Sequence, residues 1–124
     1  MAPLQEPTFF VLAALAARPL HGYGIIQAVA ELSDGRVALR AGTLYPALDR
    51  LSADGLVELA REEIVDNRLR RYYQLTNAGA DRLAADVQRQ RSNADAAAAQ
   101  LAARTTPPPK RGPATGRGPR VAPA

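Results

Sequence analysis

Apolar positions along this chain recur in two rhythms, one helical and one alternating. Phe9 to Ala17 is an unbroken apolar run preceded by Pro7-Thr8. It predicts a first helix that begins near Pro7–Thr8, with Thr as cap, and is apolar on most sides, hence central to a core. Arg18-Pro19 ends it, because the residue before a proline is pushed out of helical geometry. A second helix is expected over Gly22 to Leu32, where Tyr23, Ile26, Val29, Ala30 and Leu32 give a broad apolar face, and Ser33-Asp34-Gly35 stops it. In Val37-Ala38-Leu39-Arg40 the rhythm shortens to two, which predicts a short strand. Helical spacing returns from Gly42 to about Asp54, with Leu44, Ala47, Leu48 and Leu51 on one side and Gly55 as C-terminal cap.

Leu56 to Val65 and Leu69 to Leu75 read as two strands, joined into a hairpin by the turn residues Asp66-Asn67. Thr76 to Gly79 can cap a last helix from about Ala78 to Arg104. The order is helix, helix, short strand, helix, strand, strand, long helix. That is mainly α with a small β-hairpin, and its middle is a winged helix-turn-helix. In such a motif the second helix lies in the DNA major groove and the wing reaches phosphates beside it.

The third helix has two unlike faces. Opposite its leucine stripe stand Gly42, Thr43, Tyr45, Pro46, Asp49 and Arg50. That face is small and hydrogen-bonding, which suits a helix laid against another macromolecule. Thr43 and Tyr45 offer hydroxyls and Arg50 a guanidinium fork. Gly42 permits close backbone approach near a helix N-terminus, where free amides favour a phosphate. Pro46 is expected to shape the first turn, since deeper in the helix it would cost a backbone hydrogen bond. Asp49 runs against phosphate contact, although a carboxylate can accept from a cytosine amine or pair with Arg. Periodicity alone says only that one face is buried.

In the hairpin, Arg68 and Arg70 share a face with Tyr72, while Arg71 lies on the other with Leu69, Tyr73 and Leu75. Three Arg so close to the turn make a local positive point of the kind that grips phosphates. A solvated edge strand protected by charge would look the same, with Glu62, Glu63 and Asp66 as neutralising partners. His21, without a second ligand or a nearby nucleophile, reads as a loop or helix-start residue bonded to backbone.

Charge sharpens this picture. The 124 residues suffice for one domain, and the net charge is +4. Residues 1–104 hold equal numbers of Arg and acidic residues, and the excess comes from Lys110, Arg111, Arg117 and Arg120. Any basic surface on the domain must therefore come from local clustering. With no Cys and one His, thiolate and His-rich metal sites are excluded. The longest apolar run falls far short of the roughly 20 residues that span a bilayer, and its flank MAPLQEPT lacks the basic residues of a secretory signal. A cytoplasmic protein with no membrane association is expected. No carboxylate pair, activated nucleophile or glycine-rich phosphate loop stands out, so neither an enzyme nor a cofactor is expected.

Three blocks in order, LHGYGI at 20–25, GTLYPALDRLSADGLVE at 42–58 and RRYYQLTNAG at 70–79, resemble the PadR family of transcriptional regulators, in particular its short members without an added C-terminal domain. The resemblance covers about residues 4–104. It implies a homodimeric winged-helix repressor of a neighbouring operon, bound to double-stranded DNA at a pseudo-palindromic operator. The resemblance carries over Thr43, Tyr45, Pro46 and Arg50 for the recognition helix, Arg68, Arg70 and Arg71 for the wing, and Tyr23 near the start of helix 2. The last helix would pair with its copy through Leu83, Val87, Ala94, Ala97 and Leu101, with Gln90 in the same seven-residue seam. That seam is thin, since Ala buries little area. Arg40-Ala41 stands where the family commonly has Ser or Pro, so a side-chain N-cap is missing. The last helix has no aromatic residue to stack a flat drug, and a small-molecule effector, if there is one, is left unspecified.

The expected organisation is a winged helix-turn-helix over 1–77, a dimerisation helix over 78–104 and a disordered basic Pro/Gly-rich tail over 105–124. The tail, with KRGPATGRGPR at its centre, adds salt-dependent non-specific affinity or loosely resembles a minor-groove hook. A winged-helix module that binds protein instead of DNA is the alternative, favoured by the neutral domain and by Asp49.

Overall fold

A computed structural model describes residues 2–105. Helix α1 (Glu6–Leu15) begins earlier than Pro7–Thr8, with Pro7 inside its first turn. Gln5 occupies the cap position without a side-chain bond, and its carbonyl accepts the Phe9 N–H at 2.9 Å. Thr8 is therefore a helical residue, not a cap. The helix stops at Leu15, two residues before Ala17, and its Val11, Leu12, Ala14 and Leu15 are buried.

A two-residue strand, β1 (Leu20–His21), leads directly into α2 (Gly22–Leu32). The end of α2 is closed by the Asp34 N–H to the Glu31 carbonyl and the Gly35 N–H to the Ala30 carbonyl, with Asp34 at φ 53° and Gly35 at φ 78°. This paired closure satisfies carbonyls that the helix leaves without donors.

The strand expected at Val37–Arg40 does not form. The Val37 N–H is taken by the buried Ser33 hydroxyl at 3.0 Å, which leaves it nothing to give to a ladder. The alternation still reports burial, because Val37 and Leu39 pack on the core while their neighbours are exposed. The third strand is β1 instead.

Helix α3 (Ala41–Ala53) ends on Gly55, whose φ of 75° places it in the left-handed region. The Leu56 N–H to the Leu51 carbonyl and the Gly55 N–H to the Ser52 carbonyl complete the closure, as the Gly55 cap predicts. Strands β2 (Val57–Val65) and β3 (Arg68–Leu75) follow, joined by Asp66-Asn67 at φ 51° and 62°. Two positive φ values are what a tight two-residue hairpin turn needs, and Asp and Asn tolerate them. The sheet is antiparallel in the order β1-β3-β2, with a bulge in β2 between Leu59 and Arg61.

Helix α4 (Asn77–Thr105) starts on Thr76. The Thr76 hydroxyl accepts the Gly79 N–H at 2.9 Å and donates to the Gly55 carbonyl at 2.6 Å, so one side chain caps α4 and ties it to the end of α3. Gly79 sits against the Leu56 backbone, so close that a β-carbon would overlap the Leu56 carbonyl. Further along, the buried Asp86 carboxylate accepts from the Leu4 N–H at 3.2 Å, from the Gln90 amide at 2.9 Å and from the Arg89 guanidinium at 3.1 Å. Arg82 donates to the Ala2 carbonyl at 2.7 Å. The N-terminal arm is thus stitched onto α4.

Residues up to Gln90 form one compact unit, which extends past residue 77 into α4. From Arg91 the chain is a second unit, and Arg91 to Arg104 is helical and exposed at every residue. The tail expectation lies outside the described residues from Thr106 onward.

Candidate nucleic-acid interface

The leucine stripe of α3 is buried, with Leu44 and Leu48 at 0% exposure, and this fixes the rotation of the helix. Gly42, Thr43, Tyr45, Pro46, Asp49 and Arg50 consequently all face solvent. No side chain caps its start; the Arg40 carbonyl accepts the Thr43 and Leu44 N–H groups at 3.0 and 2.8 Å. Because the helix begins at Ala41, Pro46 falls in its second turn and not in its first. It is an interior helix proline, with no N–H to give to the Gly42 carbonyl.

Tyr23, in the first turn of α2, is 64% exposed. Its neighbour Gly22 is buried, and the phenol of Tyr45 from α3 lies over it. The starts of α2 and α3 thus bring two tyrosines to one region of the surface.

The hairpin places its charges by register. Arg71 faces Glu62, Arg70 faces Glu63 and Arg68 faces Val65. Strand alternation then puts Arg61, Glu63, Arg68, Arg70 and Tyr72 on one face, and Glu62, Ile64, Leu69 and Arg71 on the other. Arg71 pairs with Glu62 at 3.0 Å and Arg61 with Glu63 at 3.2 Å. Arg68 and Arg70 make no ion pair among the described residues. Cross-strand neutralisation therefore holds for one of the three arginines expected to grip phosphate. Ile64 and Leu69, partners across the hairpin, are 76% and 56% exposed.

Sequence reasoning missed Arg61. Its guanidinium lies 3.9 Å over the ring of Tyr72, whose other neighbour is the His21 ring at 5.3 Å. The three residues are register partners across the sheet, and the bulge before Arg61 hid that alignment from simple alternation. The Arg61 guanidinium, then the Tyr72 hydroxyl, hold the Glu63 carboxyl below its ordinary range. Partial burial, and next the charge of Arg70, lower the His21 pKa against a smaller opposing pull from Glu63. His21 thus packs against Tyr72 at the base of the wing, with its imidazole biased toward the neutral form.

On α4, Leu83 and Val87 are half-buried, and Leu83 packs against the core. Ala94, Ala97 and Leu101 are exposed, Leu101 at 61%. Among the described residues no group of His, Cys, Asp and Glu is arranged to hold a metal ion, and no helix is long and apolar enough to cross a membrane.

A family model described as the transcriptional regulator PadR-like family matches residues 11–85, from the middle of α1 to the first turns of α4. The chain belongs to the PadR-like family. PadR-like proteins are transcriptional regulators and not enzymes. Transcriptional regulator Rv3488 of Mycobacterium tuberculosis is 41% identical over 76 residues, which are 61% of this chain and 67% of that protein. A PadR family transcriptional regulator of Eggerthella lenta superposes with a TM-score of 0.62 at 26% identity, over 77% of this chain and 80% of that one. PadR of Bacillus subtilis, solved in complex with operator DNA, superposes with a TM-score of 0.57 at 24% identity, over 64% of this chain and 45% of that one. The three PadR-like blocks fall on β1 with the start of α2, on α3 with the start of β2, and on β3 with the cap of α4.

Proposed function

We propose that this PadR-like regulator acts in the cytoplasm as a homodimeric repressor that binds a pseudo-palindromic operator near its own gene. The observation that carries the reading is the division of α3. Its leucines are sealed in the core, and its opposite face, with Thr43, Tyr45 and Arg50, is exposed. That face enters a major groove, where hydroxyls and a guanidinium read base edges. Arg68 and Arg70 of the wing take backbone phosphates next to it, and Tyr23 flanks the same groove. The B. subtilis relative, solved with operator DNA, supports DNA as the partner. Helix α4 pairs with its copy through Val87 and, beyond Arg91, through Ala94, Ala97 and Leu101, which sets two recognition helices roughly 34 Å apart.

The test is a mobility-shift titration of the full chain on the intergenic DNA upstream of its gene, repeated across a salt series. The expected result is a salt-sensitive complex whose footprint covers two half-sites about one helical turn apart. Changing Tyr45 or Arg50 to Ala costs about 1–3 kcal/mol on that operator and less on random DNA. An unaltered footprint in both variants rejects the recognition role.

A second reading has one specific observation behind it. The hairpin holds Arg61, Arg68, Arg70 and Arg71 against Glu58, Glu62, Glu63 and Asp66, so it is neutral as a whole. A neutral wing with exposed Ile64 and Leu69 suits a protein partner as well. Failure of the chain without residues 106–124 to form any salt-sensitive DNA complex would favour that reading.

A further inference from the structure

Gly22 is buried at the first position of α2, yet its backbone does not require a glycine. Among the described residues the glycines with positive φ are Gly35 and Gly55, and Gly22 is not one of them. What Gly22 supplies is space. A methyl group on its α-carbon would come within 2.9 Å of the Tyr45 Cζ and closer still to the Tyr45 hydroxyl, and the three nearest atoms all belong to Tyr45. Gly42, at the start of α3, meets nothing within 4 Å, so a glycine in the first turn of a helix is not crowded as such.

Local helix stability would favour alanine at a helical position. Tyr45 itself projects from the outward face of α3, where a tyrosine held by nothing would sample several rotamers. At 45% exposure more than half of it is nevertheless covered, and the phenol end rests on Gly22. We infer that Gly22 is a positioning residue for Tyr45: the missing side chain lets the phenol dock on the start of α2 and fixes where it is presented to DNA.

The atoms in conflict with a β-carbon are the far end of a flexible side chain. Alanine at Gly22 is therefore accommodated by turning Tyr45 aside, not by separating α2 from α3. Gly22 acts on recognition without touching a base. This inference rests on the proposal that the outward face of α3 reads DNA.

The experiment compares wild type, Gly22→Ala, Tyr45→Ala and the double variant, each as the full chain. Thermal melting, operator affinity on the upstream DNA and the NMR shifts of the Tyr45 ring are measured. The expected result is that Gly22→Ala melts close to wild type, moves the Tyr45 ring resonances and loses roughly tenfold or more in operator affinity. Added to Tyr45→Ala, it has no further effect on affinity and does not lower the melting temperature. Additive losses, or an operator affinity lowered by Tyr45→Ala but unchanged by Gly22→Ala, overturn the inference. So does a melting temperature lowered by Gly22→Ala even when Tyr45 is Ala, because the glycine would then serve packing alone. Unchanged operator binding in Tyr45→Ala rejects Tyr45 as a reading residue and the inference with it; the ring resonances then separate that failure from one of positioning.

Discussion

Arg71 and Glu62 face each other across the two strands of the wing and are joined at 3.0 Å, with both side chains substantially exposed. Such a pair adds little to stability, at most about 1 kcal/mol. Its consequence is electrostatic: the guanidinium is already held in an ion pair, whereas Arg68 and Arg70 form none among the described residues. Each phosphate contact adds about one to the slope of log affinity against log salt. The double variant Arg68→Ala/Arg70→Ala should therefore flatten the slope by about two, and Glu62→Ala/Arg71→Ala should leave it near wild type. Anisotropy titrations at several salt concentrations measure both. Equal flattening in the two variants would show that Arg71 grips phosphate despite its partner.

Gly79 is where α4 crosses the loop after α3, and the group in its way is the Leu56 backbone carbonyl. A carbonyl that also accepts the Thr76 N–H at 3.1 Å cannot swing aside as a side-chain tip does. Gly79→Ala should thus destabilise the fold by about 1–3 kcal/mol, as overpacking does, and lower the melting temperature by several degrees. Gly42→Ala, placed in open space, is the control and should melt no lower than wild type. A Gly79→Ala protein as stable as that control would contradict the observed approach of α4.

Asp86 should make stability sensitive to acid. Burial pushes its pKa up, but the Gln90 amide, the Leu4 N–H and the Arg89 guanidinium outweigh that, and the net shift is downward. The folded state therefore holds this proton less readily than the unfolded chain. The resulting stability is complete above the unfolded value of about 3.9 and is lost as pH falls through the lower folded value. Melting curves from pH 7 to pH 3 should show a decline at the acid end that is smaller in Asp86→Ala. At pH 7 the same variant should lose about 1–3 kcal/mol, since it strands the donors of Leu4 and Arg89. A pH profile unchanged by the substitution would remove Asp86 from this role.

These relationships differ in how far they could be read in advance. The Leu44, Leu48 and Leu51 stripe and the open face opposite it were legible, because burial imposes a 3.6-residue period on sequence. The caps at Gly55 and Thr76 were legible because they depend on local chemistry. Two residues make no pattern, so β1 at Leu20–His21 was invisible, and Val37-Leu39 imitated a strand through alternate burial without a ladder. Contacts between residues distant in sequence left no local mark. Tyr45 on Gly22, Asp86 beneath Leu4 and Arg61 over Tyr72 emerge only when the elements are assembled. The pairing of Arg71 with Glu62 lay between these cases: the partner was foreseeable from a hairpin, but the register was not.

From Arg91 to Arg104 every residue of α4 is exposed. Alanine is the best helix former, so the Ala-rich sequence sustains the helix while offering little area to bury. Leu101 is the largest apolar group there. If Ala97 and Leu101 lie in the seam between two copies, Ala97→Glu and Leu101→Glu should each yield monomers at concentrations where wild type is dimeric, as read by sedimentation equilibrium. Operator affinity should fall with them, because two half-sites are then bound independently. Leu83→Ala should behave differently. Leu83 packs against the domain core, so its loss should destabilise the unit up to Gln90 itself, by less than the about 2–5 kcal/mol of a fully buried leucine because it is only half-buried, and should lower its melting temperature. Glutamate variants that remain dimeric would remove Ala97 and Leu101 from the interface.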